Sequence, residues 1–136
     1  MDDCIFCKVL KNEIPSTKMY EDEKTLAFLD ISPVNYGHAL VIPKSHSENL
    51  LSMKDDDLFA MVKTAQKVAD AIMKGLKADG FNLGMNNYKA AGQLVMHSHI
   101  HVIPRFKNDG LKLNWPNKKY ETGKSKETAE KLMKFL

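Results

Sequence analysis

The sequence predicts an α+β fold in which an antiparallel sheet of about five strands packs against one long helix. Three observations predict it. The chain has 136 residues, the size of one ordinary domain with a single core. Short apolar segments are bounded by turn-forming residues, as strands are, and one longer stretch has the apolar spacing of a helix. We therefore expect one domain over residues 1–136.

The first two predicted strands follow a short segment that contains both cysteines of the chain. Residues 25–30 and 38–44 are mainly apolar and match the length of a strand. The residues between these segments include four turn formers, namely Ser32, Pro33, Asn35 and Gly37. An irregular loop is therefore expected to join the two strands.

The long helix is predicted over residues 55–77, where apolar residues recur at intervals of three and four. Three aspartates, Asp55 to Asp57, stand at its start, where the helix dipole favours acidic side chains. Gly80 interrupts the pattern, and residues 81–86 are predicted to form another strand. A loop of polar and small residues follows over 87–93.

Three histidines alternate within the last predicted strand, over residues 94–105. The period of a strand places His97, His99 and His101 on one face, and Ile100 and Val102 on the other. Such a face favours either a metal site, because imidazole is a common ligand, or a nucleophilic imidazole assisted by its neighbours. The spacing alone leaves both alternatives open.

Two further features concern the ends of the chain. Cys4 and Cys7 form a Cys-x-x-Cys pair, which is typical of a metal half-site or a redox pair. The tail, residues 105–136, carries nine basic and four acidic residues, and a short helix is predicted over 125–136. Because its lysines alternate with glutamates, a solvated surface is expected rather than a nucleic-acid site.

The composition and the sequence pattern argue against a membrane protein. The longest apolar run, residues 39–43, is far shorter than the roughly 20 residues of a membrane span. The acidic start lacks the basic region of a signal peptide. We expect a soluble cytoplasmic protein.

Three segments together resemble the histidine triad (HIT) family: HSHIHVIPR from His97, GHALVIPKSH from Gly37 and NNYKAAGQ from Asn86. The resemblance implies that His99 attacks the α-phosphorus of a nucleotide and forms a nucleotidyl-histidine, which water then hydrolyses. His101 would donate a hydrogen bond to the phosphate oxygens or the leaving atom, and His38 would orient the site.

The same resemblance implies a set of nucleotide-binding residues. Asp30 would receive the ribose hydroxyls and Ile31 would form part of the base pocket, while Asn86, Gly92 and Gln93 would hold the phosphate. Without the resemblance, Asp30 is equally typical of a strand-end cap and Asn86 of a turn.

Some triad-like proteins, including the related uridylyltransferases, bind a structural zinc ion. The matching positions here are Cys4, Cys7, His46 and His97. This assignment leaves His38, His99 and His101 for catalysis. The alternative is that the cysteines are small buried thiols and His46 is a surface residue.

The function implied is release of a nucleoside monophosphate, AMP or GMP, from an amine, acyl or phosphate group, as nucleoside phosphoramidases do. Trp115 and Pro116 are similar to a pair in that branch, whereas Leu94 departs from the Ser or Thr of many members. Alternatives are a diadenosine tetraphosphate hydrolase, a nucleotide-binding scaffold, and a hydrolase in which the triad binds catalytic zinc. The resemblance also implies a homodimer in which two chains share one sheet.

Overall fold

Three helices and five strands make up the computed structural model, which describes residues 3–112 and 115–136. In chain order they are α1 (Ile5–Leu10), β1 (Lys18–Glu21), β2 (Thr25–Leu29), β3 (Ala39–Pro43), α2 (Asp55–Gly75), β4 (Gly80–Gly84), β5 (Ile100–Arg105) and α3 (Lys124–Met133). Single 3-10 turns lie at Leu50–Ser52 and Lys89–Ala91. None of the helices in these ranges combines the length and apolar character that a bilayer crossing requires.

The five strands form one antiparallel sheet in the order β1-β2-β3-β5-β4. The strand with the last histidine of the triad, β5, therefore lies between β3 and β4, with His101 opposite Leu40. This arrangement confirms the predicted α+β class and the five-stranded antiparallel sheet. The sequence pattern missed β1, because this four-residue edge strand is largely exposed and lacks an apolar alternation.

Helix α2 covers one face of the sheet. Its buried face consists of six residues spaced by three or four: Met61, Thr64, Ala65, Val68, Ala69 and Ile72. They pack against side chains of β2, β3 and β5, among them Val41, Ile100 and Val102. Burying one such aliphatic side chain is worth about 1.5–3 kcal/mol, so this helix anchors the sheet from one side. The helix ends two residues before the predicted boundary, and Lys77 then adopts a left-handed conformation with φ +52°.

The other face of the sheet carries a second, smaller core. Alternate residues of β2 and β3, such as Leu26, Phe28 and Ile42, point to this side and pack against Phe6 and Val9 of α1. Helix α1 has only six residues, too few for a helical periodicity to appear in the sequence. It is nevertheless the element that covers the histidine side of the sheet.

The histidine segment differs from its prediction in one respect. Strand β5 begins at Ile100, so His97 and His99 precede it, and only His101 alternates with the buried Ile100 and Val102 as predicted. The backbone of Ser98 donates to the carbonyl of Ser47 at 2.7 Å instead of joining the ladder of β5. The prediction of a strand over residues 94–99 is therefore wrong.

The remaining boundaries agree to within a few residues. Strand β4 starts one residue and ends two residues before the predicted segment 81–86. Helix α3 forms in the tail, but none of its residues is buried, although Leu132 and Met133 align on one side as expected.

Candidate active site and metal-binding cluster

A cleft of about 390 Å³ opens on the face of the sheet that α1 covers. Its apolar wall comes from α1, the following loop, β2 and β3, with Ile5, Phe6, Val9, Ile14, Pro15, Phe28 and Leu40. Its polar lining includes Asp30, Asn86, His99 and His101. Ile31, Gly92 and Leu94 also line it, so most of the residues proposed for nucleotide binding meet here. Gln93 and His38 do not line the cleft.

His99 is buried, and its protonation is set by the backbone. Its Nδ1 lies 2.7 Å from the carbonyl oxygen of His97. Because a carbonyl oxygen only accepts, Nδ1 carries the proton and donates, which leaves the lone pair on Nε2. Burial lowers the pKa of His99 below its usual value and so favours the neutral ring. His99 therefore has the protonation that a nucleophilic imidazole needs.

His38 and His101 form a relay of hydrogen bonds. The backbone N–H of Val34 donates to Nδ1 of His38 at 3.1 Å, so the proton of His38 is on Nε2. This Nε2–H donates to Nδ1 of His101 at 2.9 Å. The remaining nitrogen of neutral His101, Nε2, must then carry a proton, which makes it a donor.

The electrostatic surroundings favour the neutral form of both rings. Burial, and to a lesser degree the neighbouring His99 and His38, lowers the pKa of His101 to about 4. Burial also lowers the pKa of His38, partly offset by the carboxylate of Asp30, whose Oδ2 lies 3.6 Å from Nε2 of His38. The other oxygen of Asp30 accepts from the N–H of Ser32 at 2.8 Å. Asp30 thus both caps the loop after β2 and presents a carboxylate to the cleft.

A second cluster lies beside the cleft, where the ligand atoms of Cys4, Cys7, His46 and His97 are within 4.8 Å of one another. His97 Nδ1 lies 3.4 Å and 3.6 Å from the two sulfurs, and 3.2 Å from Nδ1 of His46. A tetrahedral zinc ion with ordinary bond lengths separates sulfur and nitrogen ligands by about 3.6 Å and two nitrogens by about 3.4 Å. The spacing in the cluster fits such an ion.

The orientation of His97 also fits a metal ligand. Its ring is fully buried, and Nε2 lies 2.9 Å from the carbonyl oxygen of Pro43, to which it donates. The lone pair on Nδ1 therefore points to the cysteines and His46. A metal-binding histidine usually donates its other ring proton in this way.

The loop before the histidines is held by Gln93. Its side chain accepts from the N–H of Tyr88 at 2.8 Å and donates to the carbonyls of Val95 and Glu48. No N–H of the Gln93 side chain is therefore free to donate to a phosphate, as its proposed role requires. Asn86 and Gly92, in contrast, border the cleft. Gly92 has φ +91°, and a Cβ there would meet the Asn86 amide at 3.6 Å.

The sequence pattern missed the contribution of α1 and the loop after it. The edge of the Phe6 ring packs against His99, with centroids 5.1 Å apart, and against His97, with centroids 5.9 Å apart. The Cys-x-x-Cys pair was the only signal for this region, and it predicted a metal site rather than a wall of the cleft.

Comparisons with known proteins show what the chain is similar to. The model of the HIT domain matches residues 11–108. The "Adenosine 5'-monophosphoramidase HNT1" of Saccharomyces cerevisiae is 45% identical over 114 residues, which cover 83% of this chain and 70% of that protein.

Two solved structures are similar over nearly the whole chain. The crystal structure of SMU.412c from Streptococcus mutans has a TM-score of 0.92 at 42% identity and covers 98% of this chain and 85% of that one. A Zn-bound histidine triad family protein from Mycobacterium smegmatis has a TM-score of 0.79 at 36% identity and covers 98% and 96%.

Proposed function

The chain belongs to the HIT domain family, and from this premise we propose that it is a hydrolase that releases a nucleoside monophosphate, AMP or GMP, through a nucleotidyl-histidine intermediate. The observation that carries the proposal is the tautomer of His99, whose Nδ1–H is bound to a carbonyl so that Nε2 is free to attack. The name of the yeast relative supports a nucleoside phosphoramidase.

In the first step, Nε2 of His99 attacks the α-phosphorus. A phosphorus–nitrogen bond forms while the bond from phosphorus to the amine, acyl or phosphate group breaks, and that group leaves with the bonding electrons. The Nε2–H of His101 donates to the phosphate oxygens or to the leaving atom, where negative charge develops. His38 holds His101 in this tautomer through the 2.9 Å hydrogen bond.

In the second step, water attacks the same phosphorus and breaks its bond to His99. The nucleoside monophosphate keeps the water oxygen, a proton of that water passes to the group released in the first step or to solvent, and Nε2 of His99 takes back the bonding electrons, so that its ring is neutral again. The pKa of His99, lowered by burial, favours departure of a neutral ring in this step.

The cleft has separate binding residues for the base, the ribose and the phosphate of a nucleotide. We assign the base to the apolar wall that Phe6, Val9 and Phe28 form, with Ile31 at its rim. Asp30 is assigned to the ribose hydroxyls. Asn86 and the backbone at Gly92 are assigned to the phosphate.

We also propose that Cys4, Cys7, His46 and His97 hold a structural zinc ion, as their spacing supports. Bound there, zinc would cross-link the start of α1 to the histidine segment. His97 would bind the ion through Nδ1, while its carbonyl oxygen accepts from the nucleophile, so the cluster would support His99 through a single residue. The neighbour from Mycobacterium smegmatis is described as Zn-bound.

The three alternative functions are not equally supported by the contacts of the histidines. A hydrolase in which His97, His99 and His101 bind one catalytic zinc ion conflicts with the hydrogen bonds. The free Nδ1 of His97 faces the cysteines and His46, and Nε2 of His101 carries a proton. A pure scaffold would not need the tautomer of His99. Diadenosine tetraphosphate remains the second candidate substrate, and Leu94, 92% exposed at the cleft, offers no hydroxyl to either leaving group.

The test replaces His99 with alanine in the metal-loaded protein. We expect hydrolysis of adenosine phosphoramidate and of diadenosine tetraphosphate to fall at least about 10³-fold, because the nucleophile is removed. The unfolding midpoint and the AMP affinity of the variant serve as controls for its fold. With wild-type protein, a nucleotidyl adduct trapped by a rapid quench in alkaline denaturant, in which the phosphorus–nitrogen bond is stable, should map to His99 by mass spectrometry. Turnover near the wild-type rate on both substrates would exclude the covalent mechanism.

A further inference from the structure

One polar side chain at the cleft has no role in the proposed function. Asp30, Asn86, His99 and His101 are each assigned to the ribose, the phosphate or the reaction. Ser16 is the remaining hydrogen-bonding side chain of the lining. It lies in the loop between α1 and β1, directly after Ile14 and Pro15, which belong to the apolar wall.

The hydroxyl of Ser16 is unusual in the described part of the chain. It is buried, and over residues 3–112 and 115–136 it is the one buried side-chain nitrogen or oxygen that makes no hydrogen bond. Other buried hydroxyls there are paired; Thr25 and Thr64, for example, lie 2.7 Å apart. Buried polar groups are almost always hydrogen-bonded, because an unpaired one loses its interactions with water without replacement.

The surroundings of Ser16 indicate what its partner is. The wall on its side of the cleft is formed by aliphatic and aromatic side chains, to which the flat face of a base would bind. The edge of a purine carries ring nitrogens and exocyclic groups that need partners when they leave water. A serine hydroxyl both donates and accepts, so it can pair with either kind of group.

We infer that the hydroxyl of Ser16 hydrogen-bonds to the polar edge of the nucleobase and is a specificity-determining residue of this cleft. The inference rests on the proposed function and extends it to base recognition. The hydroxyl can rotate between staggered positions about the Cα–Cβ bond. That rotation breaks no hydrogen bond of the free protein, since the Oγ atom makes none.

The experiment compares Ser16→Ala with wild-type protein by isothermal titration calorimetry. The probes are AMP, GMP and ribose 5-phosphate, the last of which lacks a base. The matched control is Thr17→Ala, which removes the exposed hydroxyl next in the chain. The unfolding midpoint of each protein is measured without ligand.

We expect Ser16→Ala to weaken binding of AMP, GMP or both about two- to twelve-fold, the range for loss of one hydrogen bond. Binding of ribose 5-phosphate should be unchanged, as should all three affinities of Thr17→Ala. The midpoint of Ser16→Ala should be equal to or above that of the wild type, because an unpaired buried hydroxyl is removed. If the hydroxyl of Ser16 were hydrogen-bonded within the protein, its removal would instead lower the unfolding midpoint.

Three results would overturn the inference: equal affinities of Ser16→Ala and wild type for both nucleotides, an equal loss for ribose 5-phosphate, or a lowered midpoint. These differ from failure of the proposed function. If folded wild-type protein binds neither AMP nor GMP, the proposed function fails and base recognition fails with it.

Discussion

At the scale of single residues, backbone contacts give chemically identical histidines different roles. His97 and His99 each donate to a carbonyl, but from opposite ring nitrogens, Nε2 in one and Nδ1 in the other. His38 instead accepts from a backbone N–H at its Nδ1. One ring is therefore free to bind a metal through Nδ1, one is free to attack through Nε2, and one is a donor to His101.

The stability of the protein should depend on pH through His101. Its pKa of about 4 in the folded state lies below the 6.5 of an ordinary histidine, because burial, and then the neighbouring His99 and His38, lower it against the opposing charge of Asp30. The unfolded chain therefore binds a proton between these values while the folded chain does not, so this contribution to stability is complete above pH 6.5 and is lost as the pH falls towards 4. We expect His101→Gln to have a smaller loss of unfolding free energy than the wild type between pH 7.5 and pH 5, measured by urea titration.

Both proteins keep the four residues of the metal-binding cluster, so the difference between them reports on His101 and its hydrogen bond to His38. Identical pH dependences of the two unfolding free energies would contradict the assigned environment of this ring.

At the scale of elements, the short helix α1 connects the sheet, the metal-binding cluster and the cleft. A helix of six residues is not stable alone in water, so its position depends on tertiary contacts. Two kinds of contact hold it: the packing of Phe6 and Val9 on the sheet, and the cysteines beside His46 and His97. Because Phe6 touches His99, loss of either contact would reach the cleft.

Metal removal should therefore loosen α1. We expect purified protein to contain about one zinc per chain, and extraction by a chelator, or the substitution Cys7→Ser, to lower both the unfolding midpoint and the affinity for AMP. Metal analysis, thermal unfolding and calorimetry check these outcomes, with Ser45→Ala, an exposed neighbour of His46, as the control. Metal-free protein with all four residues intact and full stability would exclude the structural role. Immediate loss of turnover with an unchanged fold would favour catalytic zinc.

At the scale of the whole molecule, the sheet has two covered faces and two edges, β1 and β4. The apolar side chains Phe81 and Leu83 of β4 are about half exposed, and so is Val62 on the neighbouring α2. An edge strand has unpaired backbone groups that can join a second sheet. These features support the expected homodimer with a shared sheet. The division into one domain with a basic tail over residues 105–136 stays a prediction.

The dimer can be tested at its edge. We expect sedimentation equilibrium to give about twice the chain mass of 15.4 kDa, and Leu83→Lys to shift the protein towards one chain by placing a charge at the interface. Met19→Lys is the matched control, because Met19 is similarly exposed on the opposite edge strand β1. A wild-type mass of one chain, or an equal effect of both substitutions, would exclude an interface at β4.

Local sequence was sufficient to predict an element that is long or has a strong apolar pattern. The spacing along α2 extends over six turns, and the alternation in β5 separates Ile100 and Val102 from His101, so both were predicted correctly. The three quoted motifs were enough to identify the family, which the HIT match over residues 11–108 confirms. The resemblance to this family also indicated the candidate catalytic and metal-binding residues, whose roles stay predictions.

Contacts between distant parts of the chain account for the rest. Helix α1 and strand β1 are too short to leave a periodic signal. Helix α1 forms because it packs on the sheet, and β1 because it pairs with β2. His97 and His99 were assigned to a strand because of their alternation, but the loop after β3 holds the backbone of Ser98 between them instead. The tautomer of His97 depends on a carbonyl 54 residues away, and that of His101 on a ring 63 residues away. The same holds for Ser16, whose unpaired hydroxyl is recognisable only once its neighbours in space are known, because hydrogen bonding depends on distance and direction rather than on order in the chain.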